Sequence, residues 1–241
     1  MPTIQVGCAG WNIAKQHAPI FESEGSHLAR YASIFDRVEI NSSFYRPHRP
    51  ATYLRWAASV PENFLFAVKA PKAITHERKL IDTSDLLTTF VSEVENLGAK
   101  LGPLLFQLPP SLQFDRAIAE RFFGLLRSHF STAAVCEPRH QSWFTPEASE
   151  LLKSYRIGRV VADPPVVMTA EPIASSDTVY YRLHGSPRMY YSSYSREYLD
   201  LLVNKLLSHP DAETVWCIFD NTAGGHATEN AKDLLEELGP R

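Results

Sequence analysis

Cysteine is scarce in this 241-residue chain, which has three, and none stands in a CxxC pair or at the Cys/His spacing of a zinc site. Cys8, Cys136 and Cys217 all lie inside apolar runs, where buried thiols behave as small hydrophobic groups. The chain also lacks an apolar run of membrane-spanning length, and it begins on a strand-like Ile4-Gln5-Val6 rather than on a signal peptide. These absences favour a reduced, cytoplasmic protein without a membrane partner.

Strong net charge and nucleotide-binding motifs are missing as well. The formal net charge is −3, which argues against a protein whose whole surface binds nucleic acid or membrane. There is no GxGxxG fingerprint, no P-loop and no GxSxG elbow, so nicotinamide, ATP-type and α/β-hydrolase chemistries lose support. Basic residues gather only locally, in one cluster of Arg46, His48, Arg49 and Arg55 and another of Lys69, Lys72, His76, Arg78 and Lys79. Each cluster fits either a solvated loop or a site for an anion.

What the chain does have is a series of short apolar runs that stop abruptly on polar or charged residues. Eight runs are present, and all but the first end in this way. They are residues 4–8, 38–41, 66–69, 104–107, 134–137, 160–163, 180–184 and 216–220. Runs that are β-branched or aromatic and apolar on both faces are typical of parallel strands covered on both sides.

Helical patterns separate most of these runs. Ser26, Asp115 and the Thr145-Pro146 pair stand where helix starts are expected. The one gap is residues 164–177, which contain three prolines and no helical period. We therefore predict an α/β fold, a (β/α)₈ TIM-like barrel over residues 1–241 as a single domain, in which a loop replaces the helix between strands 6 and 7. An open, doubly wound sheet is the alternative, because strand closure cannot be read from periodicity.

The polar ends of the strands are the candidate functional site. In a barrel, the C-terminal ends of the strands form the active face, and side chains alternate along each strand, so residues two apart point the same way. The predicted ring at this face comprises Glu39, Asn41, Lys69, Gln107, Glu137, Arg139, Asp163, Arg182, His184 and Asp220. It would hold four carboxylates, three permanent cations and one titratable histidine.

Several interpretations fit this ring. A divalent metal such as Mg²⁺, Mn²⁺ or Zn²⁺ could be bound by His184 together with carboxylates of the ring. Metal-free acid–base catalysis by a carboxylate and His184 fits about as well, with the cations binding an anion. Glycoside hydrolysis by Glu39 and Glu137 is disfavoured, because the cations indicate an anionic ligand rather than a neutral sugar. The ring could also be a set of structural salt bridges that closes the barrel.

Loops beside the strand ends add candidate binding residues. Trp11, after the first strand, is a candidate apolar wall, and Tyr45 could stack on a base or sugar ring or pack as part of a lid. The turn at Gly225 and His226 follows the last strand, where barrels often bind phosphate through backbone N–H groups. His226 fits donation to that anion and helix capping equally well.

Ordered motifs span nearly the whole chain. They are Gly10-Trp11, Glu39-Ile40-Asn41-Ser42-Ser43-Phe44-Tyr45, Val68-Lys69-Ala70-Pro71, Phe106-Gln107-Leu108-Pro109-Pro110, Glu137-Pro138-Arg139-His140, Tyr181-Arg182-Leu183-His184-Gly185 and Asn221 with Gly225-His226-Ala227. In this order they resemble the YecE-like family (domain of unknown function 72). The resemblance implies a TIM barrel but no activity, and Asn221 joins the candidate substrate-binding residues. The chain departs from the family at Cys8-Ala9, where Thr-Ser is usual, and at Asp220, where Asn is usual.

These observations predict an enzyme of hydrolase, lyase or isomerase type that acts on a small anionic molecule, phosphorylated or nucleotide-like. Glu39 or Glu137 is the expected general base, and His184 the general acid or a metal ligand. The expected anion-binding groups are Lys69, Arg139 and Arg182, the orienting groups Asn41 and Gln107, and the metal ligands, if a metal is bound, Asp163 and Asp220. The alternative is a non-catalytic module that binds an anionic ligand or, less favoured, a nucleic-acid end.

Overall fold

Nine β-strands form one parallel sheet in the computed structural model, which describes residues 1–239. The strands are β1 (Thr3–Ala9), β2 (Arg37–Ile40), β3 (Leu65–Lys69), β4 (Leu101–Gln107), β5 (Ala134–Glu137), β6 (Ile157–Arg159), β7 (Val161–Asp163), β8 (Thr178–Leu183) and β9 (Thr214–Phe219). Their order in the sheet is β6-β5-β4-β3-β2-β1-β9-β8-β7.

The two ends of this order, β6 and β7, are halves of one chain segment separated only by Val160. β6 pairs with β5, and β7 pairs with β8. The Val160 N–H donates to the Cys136 carbonyl at 2.9 Å. The sheet therefore closes on itself as a barrel of eight strands, the sixth of which is split. This confirms the predicted (β/α)₈ barrel and excludes the open sheet, whose edge strands would lie apart.

Seven α-helices surround the barrel within the described part of the chain. They are α1 (His27–Tyr31), α2 (Pro50–Ala58), α3 (Ser84–Val94), α4 (Arg116–His129), α5 (Pro146–Ser154), α6 (Arg196–Leu207) and α7 (His226–Leu238). Shorter helical segments are Lys15–Ile20, Ser42–Phe44, Ala73–Glu77, Glu95–Lys100 and Gln141–Phe144. Across residues 1–239, no helix combines the length and apolar character that crossing a bilayer requires.

Local sequence signals set several helix starts. Ser26, Asp115 and Thr145 each accept a hydrogen bond from a backbone N–H in the first turn of the following helix. Residues 164–177 contain no α-helix and lead from β7 to β8, as predicted.

The core has two parts, one on each face of the sheet. The larger part fills the space between barrel and helices and takes outward strand positions such as Val6, Phe66 and Phe106. The smaller part, which we call the apolar layer, fills the inside of the barrel with Ala9, Ala67, Leu105, Val135, Val160, Tyr180, Trp216 and Ile218. Within it the rings of Tyr180 and Trp216 stack with centroids 6.0 Å apart. Toward the C-terminal ends of the strands, the inward positions become polar.

Candidate active site

Polar and charged side chains close the C-terminal end of the barrel, and we call them the charged layer. Its members are Glu39, Lys69, Gln107, Glu137, Arg139, Arg182, His184 and Asp220, all but Gln107 and Arg139 being buried. Most stand two residues beyond the apolar layer on the same strand, as Lys69 follows Ala67 and Glu137 follows Val135. The strand alternation that fills the barrel with apolar groups therefore also points these polar groups inward.

Arg182 is the centre of the charged layer and is fully buried. Its Nε and Nη2 donate to the two carboxylate oxygens of Glu39 at 3.0 and 2.7 Å. Its Nη1 donates to Oε2 of Glu137 at 2.7 Å, and its Nη2 also donates to Oδ2 of Asp220 at 3.1 Å. One guanidinium thus joins carboxylates from three strands and fixes their relative positions.

His184, also fully buried, lies between two of those carboxylates. Its Nδ1 is 3.0 Å from Oδ2 of Asp220, and its Nε2 is 2.9 Å from Oε1 of Glu137. Nη2 of Arg139 approaches both this Nε2 and this Oε1 at 2.6 Å. Because arginine only donates, Nε2 either accepts from Arg139 as neutral imidazole or donates to Glu137. The proton on His184 is therefore coupled to the placement of the Arg139 side chain.

Two neutral side chains complete the hydrogen bonding of the glutamates. Nε2 of Gln107 donates to Oε1 of Glu137 at 3.2 Å, and the Tyr180 hydroxyl donates to Oε2 of Glu39 at 2.9 Å. Sequence reasoning missed Tyr180, although it stands two residues before Arg182 and so faces the same way. Its ring belongs to the apolar layer and its hydroxyl reaches the charged layer.

Mutual pairing keeps Glu137, Asp220 and Arg182 charged although they are buried. Burial alone would raise the pKa of Glu137. Arg182, His184 and Arg139 outweigh burial and hold the pKa of Glu137 well below its usual range. Burial would also raise the pKa of Asp220, but Arg182 and His184 outweigh it, so the pKa of Asp220 is lowered. Burial would lower the pKa of Arg182, yet the surrounding carboxylates raise it well above its ordinary value.

Lys69 is the exception in the charged layer. It is 5% exposed, and its ammonium makes no hydrogen bond or ion pair with another of the residues 1–239. Its direct contact is the face of Phe44, with Nζ 4.3 Å from the ring centroid. Burial, aided by the positive charge of Arg182, lowers the pKa of Lys69 to about 8, and the nearby carboxylates offset only part of this. Lys69 is thus a buried amine that sheds its proton close to neutral pH.

Two cavities lie beside the loop that follows β1. One, of about 340 Å³, is lined by Asn12 and by Gly224 and Gly225 at the start of α7. The backbone of Gly225 has a φ of 81°, which favours glycine at this turn. The other, of about 250 Å³, is lined by Trp11 and Asn41. Each volume is several times that of a water molecule and can accommodate a small ligand.

The remaining candidate binding residues lie around the charged layer rather than in it. Oδ1 of Asn41 and Nδ1 of His226 are buried and have no hydrogen-bond partner among the described residues. Trp11 packs edge-on against Trp56 with centroids 5.0 Å apart, and Tyr45 is 70% exposed.

Asn221 is fully buried and acts within the loop structure. Its Nδ2 donates to the Ser192 carbonyl at 3.0 Å and to Oδ1 of Asn230 at 2.9 Å. These bonds tie the end of β9 to the loop after β8 and to α7.

Asp163 does not reach the charged layer, which differs from the sequence-based expectation. Its Oδ2 accepts a hydrogen bond from the Tyr198 hydroxyl of α6 at 3.0 Å, on the outer face of the barrel. Val160 points inward, so Asp163, three residues later, faces the other way. The run 160–163 is apolar on both faces, and its pattern does not reveal which residues point inward.

The side-chain arrangement does not fit the metal interpretation. Among residues 1–239, no group of three or more His, Cys, Asp or Glu side chains is placed to hold a metal ion. Asp220, the other candidate ligand, uses Oδ2 for Arg182 and His184. The carboxylates are satisfied by a guanidinium rather than arranged around a cation site.

The sequence and the fold both have known relatives. The family model described as "Protein of unknown function DUF72" matches residues 5–241. The UPF0759 protein YunF of Bacillus subtilis is 26% identical over 268 aligned positions, which cover 98% of this chain and 94% of YunF.

Two solved structures show the same architecture. A DUF72 family protein of Thermotoga maritima superposes with a TM-score of 0.84 at 24% identity, covering 98% of this chain and 99% of that one. The 3-keto-D-glucoside 4-epimerase of E. coli superposes with a TM-score of 0.56 at 11% identity, covering 100% of both chains. At these identities the likeness is one of fold.

Proposed function

Since this chain belongs to the DUF72 family of proteins of unknown function, we propose, from its own side chains, that it is an enzyme performing acid–base chemistry on a small anionic molecule. The reaction takes place at the mouth of the barrel, in the charged layer. His184 transfers the proton, and Arg139 and Lys69 attract the anion.

The observation that carries this proposal is the place of His184 between Asp220 and Glu137, at 3.0 and 2.9 Å. The carboxylate of Asp220 beside Nδ1 orients the imidazole and stabilises its protonated form, as in general acid–base catalysis, where the other ring nitrogen exchanges the proton. Both carboxylates have lowered pKa values and stay ionised, which leaves the imidazole of His184 as the group of this trio proposed to exchange a proton with the substrate. This replaces Glu39 or Glu137 as the proposed base.

Charge balance favours an anionic substrate. The carboxylates of Glu39, Glu137 and Asp220 are matched in number by the cations Arg182, Arg139 and Lys69. When His184 takes up a proton, the charged layer gains one positive charge, and a bound anion restores neutrality. An anion that draws Arg139 outward also uncovers Nε2 of His184, so binding and exposure of the proton-carrying nitrogen occur together.

A non-catalytic binding module is the second candidate, and the state of Glu39 favours it. Its carboxylate receives two hydrogen bonds from Arg182 and one from Tyr180, which leaves it fully engaged as a structural group. In that case the 340 Å³ cavity beside Gly225 would hold the anion through backbone N–H groups without turnover.

A binding and turnover screen tests the proposal. The purified protein is melted with inorganic phosphate, sugar phosphates and 2-oxo acids, and compounds that raise the melting temperature are followed by NMR for conversion. We expect Arg139→Gln to weaken binding by about 10- to 100-fold, the effect of losing a charged hydrogen bond of about 1.5–3 kcal/mol. We expect His184→Gln to bind the anion but not convert it.

Arg116→Gln is the matched control, because Arg116 is an exposed arginine that pairs with Glu147 rather than with a member of the charged layer. It should leave both binding and turnover unchanged. Saturable binding without conversion by the wild-type protein would favour the binding module. Absence of binding by every anion, or full turnover by His184→Gln, would contradict the enzyme proposal.

A further inference from the structure

We propose that Lys69 is a nucleophile that forms an imine with the carbonyl group of an anionic aldehyde or ketone, such as a 2-oxo acid or a phosphorylated ketone. This inference rests on the proposed function and deepens it, because it names the class of substrate and the atom that reacts. Nucleophilic catalysis by lysine places the reaction among the lyases or isomerases.

The first argument is the contrast between two buried cations. The forked guanidinium of Arg182 donates hydrogen bonds to all three carboxylates of the charged layer. Lys69, at an inward position of β3, is left without an ionic partner although it is only 5% exposed. Lysine is almost never buried unless it is paired, so a structural role does not account for it.

The second argument is the chemistry that burial gives to the amine. An ammonium ion cannot attack a carbonyl, and an ordinary lysine is almost wholly protonated at pH 7. The pKa of Lys69, lowered by burial and by Arg182 to about 8, raises the neutral fraction at pH 7 by about two orders of magnitude. A desolvated lysine next to a second cation is a recognised way to activate this nucleophile.

The third argument is the surroundings of Nζ. The face of Phe44 lies 4.3 Å from it and would stabilise the positive charge of a protonated imine as it does that of the ammonium. The carboxylates of Glu39, Asp220 and Glu137 act on Lys69 electrostatically and favour the same positive charge. Arg139, which pairs with Glu137 and has a side chain 11% exposed, is the cation that would exchange this partner for the acid group of the substrate.

The step balances without a further reactant. The lone pair of Nζ forms a bond to the carbonyl carbon as the carbon–oxygen π bond breaks, and one hydrogen of the amine passes to the carbonyl oxygen, which gives a carbinolamine. The carbon–oxygen bond then breaks, and the two hydrogens of the neutral amine leave with that oxygen as water. The resulting imine, once protonated, withdraws electrons from the adjacent carbon and so eases loss of a proton or cleavage of a bond there.

Reductive trapping tests the inference. The protein is incubated with glyoxylate, pyruvate or dihydroxyacetone phosphate in the presence of sodium cyanoborohydride, and adducts are located by intact-mass measurement and peptide mapping. We expect one equivalent of adduct on Lys69 at pH 7, with the initial rate increasing up to a pH of about 8. Adducts on exposed lysines such as Lys72 should form more slowly than the adduct on Lys69.

Two variants keep the result interpretable. Lys69→Arg retains a cation but not a nucleophile, and it should lose the adduct while melting as a folded protein. Lys72→Arg removes an exposed lysine and should keep the adduct. Adducts spread over exposed lysines with none on Lys69, or no adduct with any of the three compounds, would overturn the inference. If anions still bind and are converted in that case, the proposed function stands without the imine; if no anion binds, both are wrong.

Discussion

Two layers of the same barrel interior, one above the other, bury their side chains in opposite ways. The apolar layer uses groups such as Leu105, Val135 and Trp216, which need only contact with their neighbours. The charged layer, further along the same strands, uses ions that are paired with one another, with Lys69 as the exception. Because the strands and the side-chain alternation are shared, the difference between the layers lies in the side chains that the sequence places at each level.

We infer from that difference that the charged layer serves function rather than stability. Replacing a buried ion network with apolar residues of similar volume is often neutral, or stabilising by about 1–4 kcal/mol. The apolar layer demonstrates that this barrel can pack such residues, since the rings of Tyr180 and Trp216 stack inside it. If stability were the only requirement, apolar side chains could also occupy the positions of the charged layer.

Removing the central cation of the charged layer should have the largest effect. Arg182→Met leaves Glu39, Glu137 and Asp220 buried without the guanidinium that pairs them. We expect the free energy of unfolding to fall by about 3–5 kcal/mol, measured by urea denaturation at pH 7.

Arg116→Met is the matched control for this variant. Arg116 pairs with Glu147 at 3.3 Å on the surface, where ion pairs contribute about 0–1 kcal/mol. Equal losses of stability in the two variants would show that burial of the ions does not distinguish the charged layer from the surface.

Removing Lys69, the unpaired cation of the charged layer, should raise the free energy of unfolding rather than lower it. Burial lowers the pKa of Lys69 from 10.5 to about 8, so the folded state disfavours its charged form relative to the unfolded state. At about 1.4 kcal/mol per pKa unit, Lys69→Met should raise the free energy of unfolding at pH 7 by up to about 3 kcal/mol.

The sign of this effect can be checked by pH. Below about 8, Lys69 is charged in both states and the folded protein bears the full cost of burying the charge. Between about 8 and 10.5 the unfolded chain binds more protons than the folded one, so the wild type gains stability relative to the variant. Urea denaturation across this range, with Lys72→Met as an exposed control, measures it. If the stability gained by Lys69→Met did not depend on pH, better packing rather than removal of the buried charge would be its cause.

A substitution that crowds the apolar layer should have the smallest effect on stability. A Cβ on Gly102 would lie 2.9 Å from Cζ2 of Trp216, so Gly102→Ala should cost about 1–3 kcal/mol by overpacking and leave anion binding unchanged. Gly124→Ala is the control, because its Cβ would meet Tyr155 at an ordinary 3.6 Å and alanine favours a helix by up to about 1 kcal/mol. Loss of anion binding in Gly102→Ala would show that the two layers are mechanically coupled.

The contents of the charged layer were largely predictable, because alternation along a strand is a local property. Glu39, Glu137 and Arg182 each end an apolar run and point inward as expected. Asp163 also ends such a run but points outward to Tyr198, since a run that is apolar on both faces does not identify its inward side. Tyr180 was missed for a different reason: its direction follows from Arg182 two residues later, but its aromatic ring resembled ordinary core packing.

The sequence by itself determined the order of strands and helices, the loop at residues 164–177 and the polar groups at the strand ends. These follow from backbone periodicity, capping and turn residues, which act over a few positions. Only the tertiary structure decided which charges meet. Arg182 pairs with Glu39, which is 143 residues away in the chain, and Lys69 stays unpaired. Closure of the barrel brings the strand ends so close together that one guanidinium contacts carboxylates from several strands. Pairing depends on those distances, and no local pattern encodes them.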